Sequence, residues 1–225
     1  MIVVFDLDDT LYEEKTYVRS GFRAVANYLS DTYKFAAPDD VYHQLLQLLE
    51  RDGRGKVFDS YLSQHNLSRS TVINKCLSVY RSHLPDIHLS QSGHACLQRL
   101  KSCSKFLVTD GNKVVQTRKI NSLGIRPFFK RTLVTHNYGL KHSKPSTYCF
   151  HKILSWENGK PQDLVYIGDN PTKDFVNLKK EGFKTVRVLT GEHRDREVSI
   201  EYEADYQIES LDELSIQRLK QIMGH

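Results

Sequence analysis

The sequence predicts an α/β protein: an open parallel sheet covered by helices on both faces, with a second block of helices inserted after the first strand. Three observations carry this expectation. Short strand-like stretches rich in apolar residues recur at residues 2–5, 105–109, 132–134, 163–167 and 185–188, the first of them unbroken. Helix-spaced stretches separate those runs from about residue 90 onward. The segment between the first two runs, about residues 15–88, shows helical spacing and no strand pattern. Unbroken apolar runs suit strands buried on both faces, and strand–helix alternation implies right-handed crossovers between parallel strands.

Taken in order, Ile2–Phe5 is the first strand, and it stops at Asp6-Leu7-Asp8-Asp9-Thr10 because a group of acids cannot continue into a core. In the inserted segment, three sets have helical spacing: Val18, Phe22, Val25, Ala26 and Leu29; Val41, Leu45, Leu46 and Leu49; Val72, Ile73, Cys76, Leu77 and Tyr80. Pro38 and Asp52-Gly53-Arg54-Gly55 supply breaks between helices. Ala95, Leu97 and Leu100 lead into the second strand, Lys105–Thr109. A helix marked by Val114, Val115 and Leu123 follows and ends at Gly124, a residue suited to a helix C-terminus. After the short strand Thr132–Val134, Pro145 suits the first turn of a helix carrying Phe150, Ile153 and Leu154. The strand Asp163–Ile167, a helix over 171–181, the strand Thr185–Val188 and a closing helix over 211–220 complete the chain. The expected division is residues 1–14 with 89–225 as the α/β core and 15–88 as a helical domain.

Composition narrows the class. With 39% hydrophobic and 26% charged residues over 225 positions, a soluble globular protein is expected. The net charge of +5 comes from scattered Lys and Arg, which suits anionic small molecules better than a nucleic-acid polymer. The four cysteines lack metal or redox spacing, and the opening apolar run is too short for a leader or a membrane span. A cytoplasmic protein with reduced thiols, acting without membrane or nucleic acid, is the expectation. The sequence declares no oligomeric interface.

In open parallel sheets, ligands bind beyond the carboxyl ends of the strands. Asp6 and Asp8 follow the first strand; Thr109, Asp110, Gly111 and Asn112 lie at the end of the second. Lys144 follows the third, and Gly168, Asp169, Asn170 and Asp174 follow the fourth. Each has an ordinary reading alone: a turn, a strand-end hydroxyl, a surface lysine, a helix cap. Together, in one order and each just past a strand, they describe a site. Two carboxylates on one side of a strand end repel unless a cation separates them or one takes a proton, and Mg²⁺ prefers such oxygen ligands. Asp169 could supply a further carboxylate. Asp6 could then attack phosphorus, with Lys144, Thr109 and backbone N–H groups near Asp110 and Gly111 neutralising phosphate oxygens and Asp8 moving protons. Asp9 is expected to bond its own turn.

Asp6-Leu7-Asp8-Asp9-Thr10, Thr109, Lys144-Pro145 and Gly168-Asp169-Asn170-Pro171-Thr172-Lys173-Asp174 resemble, in order, the four motifs of the haloacid dehalogenase-like superfamily in its phosphatase branch. The resemblance spans the core from end to end, and the helical insertion resembles the family's inserted cap. It implies a Rossmann-like open parallel sheet with a helical-bundle cap domain. It implies Asp6 as nucleophile, Asp8 as general acid/base, and Mg²⁺ held by Asp6, the Asp8 carbonyl and Asp169 with Asp174 in support. Thr109 and Lys144 would bind the phosphoryl group, and the substrate would be a small phosphate ester, a sugar phosphate or nucleoside monophosphate. Phosphotransferase or phosphomutase chemistry shares these motifs, and a non-catalytic binding module shares the fold. A dehalogenase is disfavoured by Asp8, since halide needs no general acid. Tyr12, Glu13 and Tyr17 lie where core and insertion join and are candidates to touch substrate. Arg51, Arg54 and Lys56 read as a solvated loop.

Overall fold

In the computed structural model, which describes residues 1–34 and 36–224, the strands are β1 (Ile2–Phe5), β2 (Ser104–Thr109), β3 (Arg131–Val134), β4 (Leu164–Gly168), β5 (Lys184–Val188) and β6 (Tyr206–Ile208). All pair in parallel, in the order β3-β2-β1-β4-β5-β6. Buried aliphatic and aromatic residues fill both faces of the central strands, which explains their unbroken apolar runs. The chain leaves β1 in one direction toward β2 and β3 and returns to the other side of β1 for β4, β5 and β6. The crevice at the carboxyl ends of β1 and β4 is therefore the topological switch point. The register sets Phe5 opposite both Leu107 and Ile167, so the residues following these strands emerge at the same edge.

The chain divides into two compact units, Met1–Glu14 with His88–His225, and Lys15–Ile87. The second unit contains α1 (Glu14–Tyr33, from its second residue), α2 (Pro38–Asp52), α3 (Val57–Gln64) and α4 (Ser70–Ser82). Its core joins Val18, Phe22, Val25, Ala26 and Leu29 to Val41, Leu45, Leu48, Phe58, Tyr61 and Leu62. On α2, Val41, Leu45 and Leu48 are buried, while Leu46 and Leu49 are partly covered. The helix α3 escaped the sequence pattern: it is only eight residues long and follows the glycine-containing break directly.

In the sheet-bearing unit, α5 (Gln91–Arg99) precedes β2, and α6 (Lys113–Ser122) and α7 (Tyr148–Glu157) follow β2 and β3. The helix α8 (Val176–Lys180) follows β4, and α9 (Ile216–Met223) closes the chain. Three helix starts come later than the sequence suggests. Pro145 lies in a loop, because the Lys144 N–H is bound by Asp110 Oδ1 at 3.2 Å and the Pro145 carbonyl by Asn177 Nδ2 at 3.1 Å. Between Pro171 and Phe175 the chain turns instead of winding, with Asn170 Oδ1 accepting from Thr172 N and Asp174 Oδ2 from Asn170 N. A capped turn at Ser210 delays the last helix. Strand β6 was missed, since Ile208 is its one fully buried residue. Among the described residues, no helix is long and apolar enough to cross a membrane.

Candidate active site

The ladder between β1 and β4 continues one residue past the strands, with Asp6 N donating to Ile167 O at 2.8 Å. This fixes the Asp6 backbone at the switch point. Asp169 follows β4 directly, and Gly168 before it leaves room for a third acid: a Cβ there would lie 2.6 Å from Asp174 Oδ2. One carboxylate oxygen each of Asp6, Asp169 and Asp174 come within 4.8 Å of one another, and all three residues are buried.

Lys144, also buried, reaches into this group from the loop after β3. Its Nζ lies 2.9 Å from Asp6 Oδ1, 2.9 Å from Asp174 Oδ1 and 2.6 Å from the Tyr166 hydroxyl. Thr10 Oγ1 donates to Asp169 Oδ1 at 3.3 Å. Burial opposes the ammonium, but Asp174 and Asp6 outweigh it and hold Lys144 above the usual lysine range. One ammonium cannot balance three carboxylates. Burial, opposed in part by Lys144, raises Asp6 to about 6, and burial with the charges of Asp174 and Asp6 raises Asp169 well above the carboxylate range. Three buried oxygen donors with an unmet need for positive charge fit a hard divalent cation. Asp6, Asp169 and Asp174 are the side chains that would hold it.

Asp8 is not in this cluster through its side chain. Its Oδ1 lies 2.6 Å from Lys119 Nζ and 2.5 Å from the Tyr12 hydroxyl, and its Oδ2 accepts from Gln116 Nε2 at 2.7 Å. Burial works against the Asp8 charge, yet Lys119 and these hydrogen bonds bring its pKa below the usual value. Thr109 is fully buried at the end of β2, its Oγ1 2.8 Å from Gln116 Nε2. The Asp110 carboxylate serves as a brace, with Oδ1 accepting from Thr135 Oγ1 and from Lys144 N. Gly111 adopts φ 135°, a conformation that favours glycine, where the chain turns into α6. Asp9 bonds its own turn, accepting from Glu14 N at 2.8 Å.

Thr10, Tyr166, Gln116 and Lys119 belong to this neighbourhood and were not singled out from the sequence. Thr10 sat inside a quoted motif and was a findable candidate. Tyr166 reads as one more apolar strand residue, and Gln116 and Lys119 as a polar helix surface. Of the joining residues, Tyr12 meets Asp8, whereas Tyr17 donates to Tyr80 O at 3.2 Å within the helical unit. Arg51 is exposed and pairs with its neighbour Asp52.

A parallel α/β sheet carrying buried aspartates and a lysine at its switch point places this chain among the open α/β proteins with a charged ligand site at the strand ends. The chain belongs to the haloacid dehalogenase-like hydrolase family, whose model matches residues 3–188. It is 29% identical to a glyceraldehyde 3-phosphate phosphatase of Methanocaldococcus jannaschii, over 94% of each chain. It is 27% identical to one of Pyrococcus furiosus, over 95% of this chain and 90% of the relative. In fold it resembles YfnB of Bacillus subtilis, solved with bound magnesium, at a TM-score of 0.65 and 18% identity over 100% of this chain and 98% of that one.

Proposed function

We propose that this enzyme is a Mg²⁺-dependent phosphomonoesterase that hydrolyses a small sugar phosphate through an aspartyl-phosphate on Asp6. The observation that carries the reading is the buried Asp6 carboxylate at the switch point, ion-paired through Oδ1 with Lys144 beside two further carboxylates. Its second oxygen is the nucleophile. As that oxygen bonds to phosphorus, the bond from phosphorus to the ester oxygen breaks, and Asp8 gives a proton to the departing alcohol. Asp8 takes up that proton from solvent water as the dianionic ester settles beside it, because nearby negative charge raises a carboxylate's proton affinity. Water then bonds to the same phosphorus, its proton passes to Asp8, and the bond to Asp6 breaks to release inorganic phosphate.

Lys144 and the Thr109 hydroxyl bind the phosphoryl oxygens, joined by the backbone N–H groups of Asp110 and Gly111. Bound at Asp6, Asp169 and the Asp8 carbonyl, with Asp174 in support, Mg²⁺ would supply positive charge against the phosphoryl group and offset the repulsion among the carboxylates. The magnesium in YfnB supports the choice of ion. The names of the archaeal relatives put glyceraldehyde 3-phosphate and other short sugar phosphates first among substrates, ahead of nucleoside monophosphates.

The test is inorganic phosphate release from a panel of sugar phosphates and nucleoside monophosphates, with and without Mg²⁺, using wild type and Asp6→Asn. Release that needs both the cation and Asp6, fastest on a short sugar phosphate, is expected. Release that survives Asp6→Asn would refute the mechanism. Transfer of the phosphoryl group to another sugar hydroxyl without phosphate release would replace hydrolysis by phosphotransfer.

A further inference from the structure

The inner face of α6 is chemically odd. This helix buries Gln116 and Lys119, each 2% exposed, while leaving Val114 45% exposed. Burying a cation and an amide in place of an available apolar residue is unfavourable unless their partners require them. Those partners are the two groups to which the proposed reaction gives proton transfer and phosphoryl binding. Lys119 Nζ meets Asp8 Oδ1 at 2.6 Å and Glu14 Oε1 at 3.3 Å. One turn earlier, Gln116 Nε2 lies 2.7 Å from Asp8 Oδ2, 2.8 Å from Thr109 Oγ1 and 2.8 Å from the Asp110 carbonyl.

We propose that Gln116 and Lys119 are positioning residues that aim Asp8 and Thr109, and that they leave one lone pair of Asp8 Oδ2 as the acceptor of the proton from the hydrolytic water. The inference rests on the reading of Asp8 as acid/base. A carboxylate oxygen accepts about two hydrogen bonds. Lys119 and Tyr12 fill both positions on Oδ1, and Gln116 fills one on Oδ2. Among the described residues, the position left unfilled is on Oδ2, so the water's proton goes there as the oxygen–phosphorus bond forms and the bond to Asp6 breaks. Gln116 also orders Thr109. An amide N–H donated to Thr109 Oγ1 leaves the threonine's own proton free to point at a phosphoryl oxygen. Gln116 Oε1 is buried and has no hydrogen-bond partner among the described residues, so this side chain is held in place by its donors alone.

The experiment uses p-nitrophenyl phosphate, whose leaving group needs no proton, with Mg²⁺-loaded wild type, Lys119→Met and Gln116→Met. In this substrate kcat/KM reports transfer to Asp6, and kcat falls when breakdown of the aspartyl-phosphate slows. In Lys119→Met, kcat is expected to drop about 30-fold or more. KM should drop with it, kcat/KM should stay within about 5-fold, and a burst of p-nitrophenolate matching the enzyme concentration should appear. Gln116→Met should show the same burst with some loss in kcat/KM through Thr109.

Circular dichroism checks that each variant is folded. If Lys119→Met does not fold, Gln116→Met and Tyr12→Phe carry the test. Parallel loss of kcat and kcat/KM without a burst would show a merely structural helix face and overturn the proposal, as would unchanged kinetics. Activity that survives Asp6→Asn would instead refute the phosphatase reading itself, so the two failures are distinguishable.

Discussion

Lys144 and Lys119 are both buried, and each meets an aspartate from the short stretch that follows β1. Around Lys144, three carboxylates share one ammonium, and Asp6 is raised to about 6. Around Lys119, Asp8 and Glu14 share the ammonium, Tyr12 and Gln116 add hydrogen bonds to Asp8, and Asp8 falls below its usual value. Two aspartates two residues apart thus have opposite proton affinities, set by what other chain segments bring to them. The first arrangement carries more negative charge than its ammonium offsets, whereas in the second the ammonium and the hydrogen bonds stabilise the Asp8 anion. The Lys144 region should therefore respond strongly to added metal and the Lys119 region weakly.

Removing Lys144 should have the largest effect. Lys144→Met deletes the ammonium in contact with Asp6, and kcat/KM on the best sugar phosphate should fall about 10³-fold. A loss no larger than that of Lys119→Met would mean that the two lysines are not different in kind.

Metal removal should show in the pH dependence of stability. A carboxyl group whose folded pKa exceeds its unfolded value binds its proton more tightly in the folded state. The stability this adds is present below about pH 4 and lost as pH rises through about 6. For Asp6, raised from 3.8 to about 6, the effect amounts to about 3 kcal/mol. In chelator, urea unfolding should show wild type losing about that much relative to Asp6→Asn between pH 4 and pH 7. With Mg²⁺ present the advantage of the variant should disappear. Parallel pH curves for the two proteins in chelator would contradict the charge deficit.

Smaller effects follow farther out. Asp110→Ala removes the brace to Thr135 and to the Lys144 backbone. It should lower kcat/KM about 10-fold by loosening the loop that carries Lys144, and the loss should exceed that on binding of inorganic phosphate alone. In the helical unit, Arg23 pairs with Asp39 at an exposed position and lies over the Tyr42 ring. Arg23→Ala should lower stability by less than about 1 kcal/mol and leave the Mg²⁺ requirement unchanged, as read by thermal melting and phosphate release.

The difference between the two lysine regions also explains what the sequence made legible. Asp6, Asp8, Thr109 and Asp169 stand at or just past the ends of apolar runs, where a polar residue interrupts a clear pattern, while Lys144 and Asp174 lie farther along the loops after β3 and β4 and were legible through motif order. Gln116 and Lys119 sit inside Lys113–Ser122, a helix so polar that no periodicity separates its inner face from its outer one. Its valines suggested the buried side, and the structure exposes one of them. Tyr166 was hidden for the opposite reason: in Leu164–Gly168 a tyrosine is indistinguishable from core until its hydroxyl is seen against Lys144 and Asp174. The strands were readable because burial on both faces demands apolar runs. The late starts of α7 and α8 were not, because side chains of Asp110, Asn170 and Asp174 hold those loops through contacts distant in sequence or local to one turn.

In the proposed mechanism Asp6 carries the phosphoryl group. The direct measurement is acid-quenched turnover of a sugar phosphate with Mg²⁺, followed by peptic digestion and mass spectrometry. Phosphate found on Asp6, absent without Mg²⁺ and absent in Asp6→Asn, is the predicted result. Steady turnover with no phosphate on Asp6, or with phosphate on another residue, would contradict it.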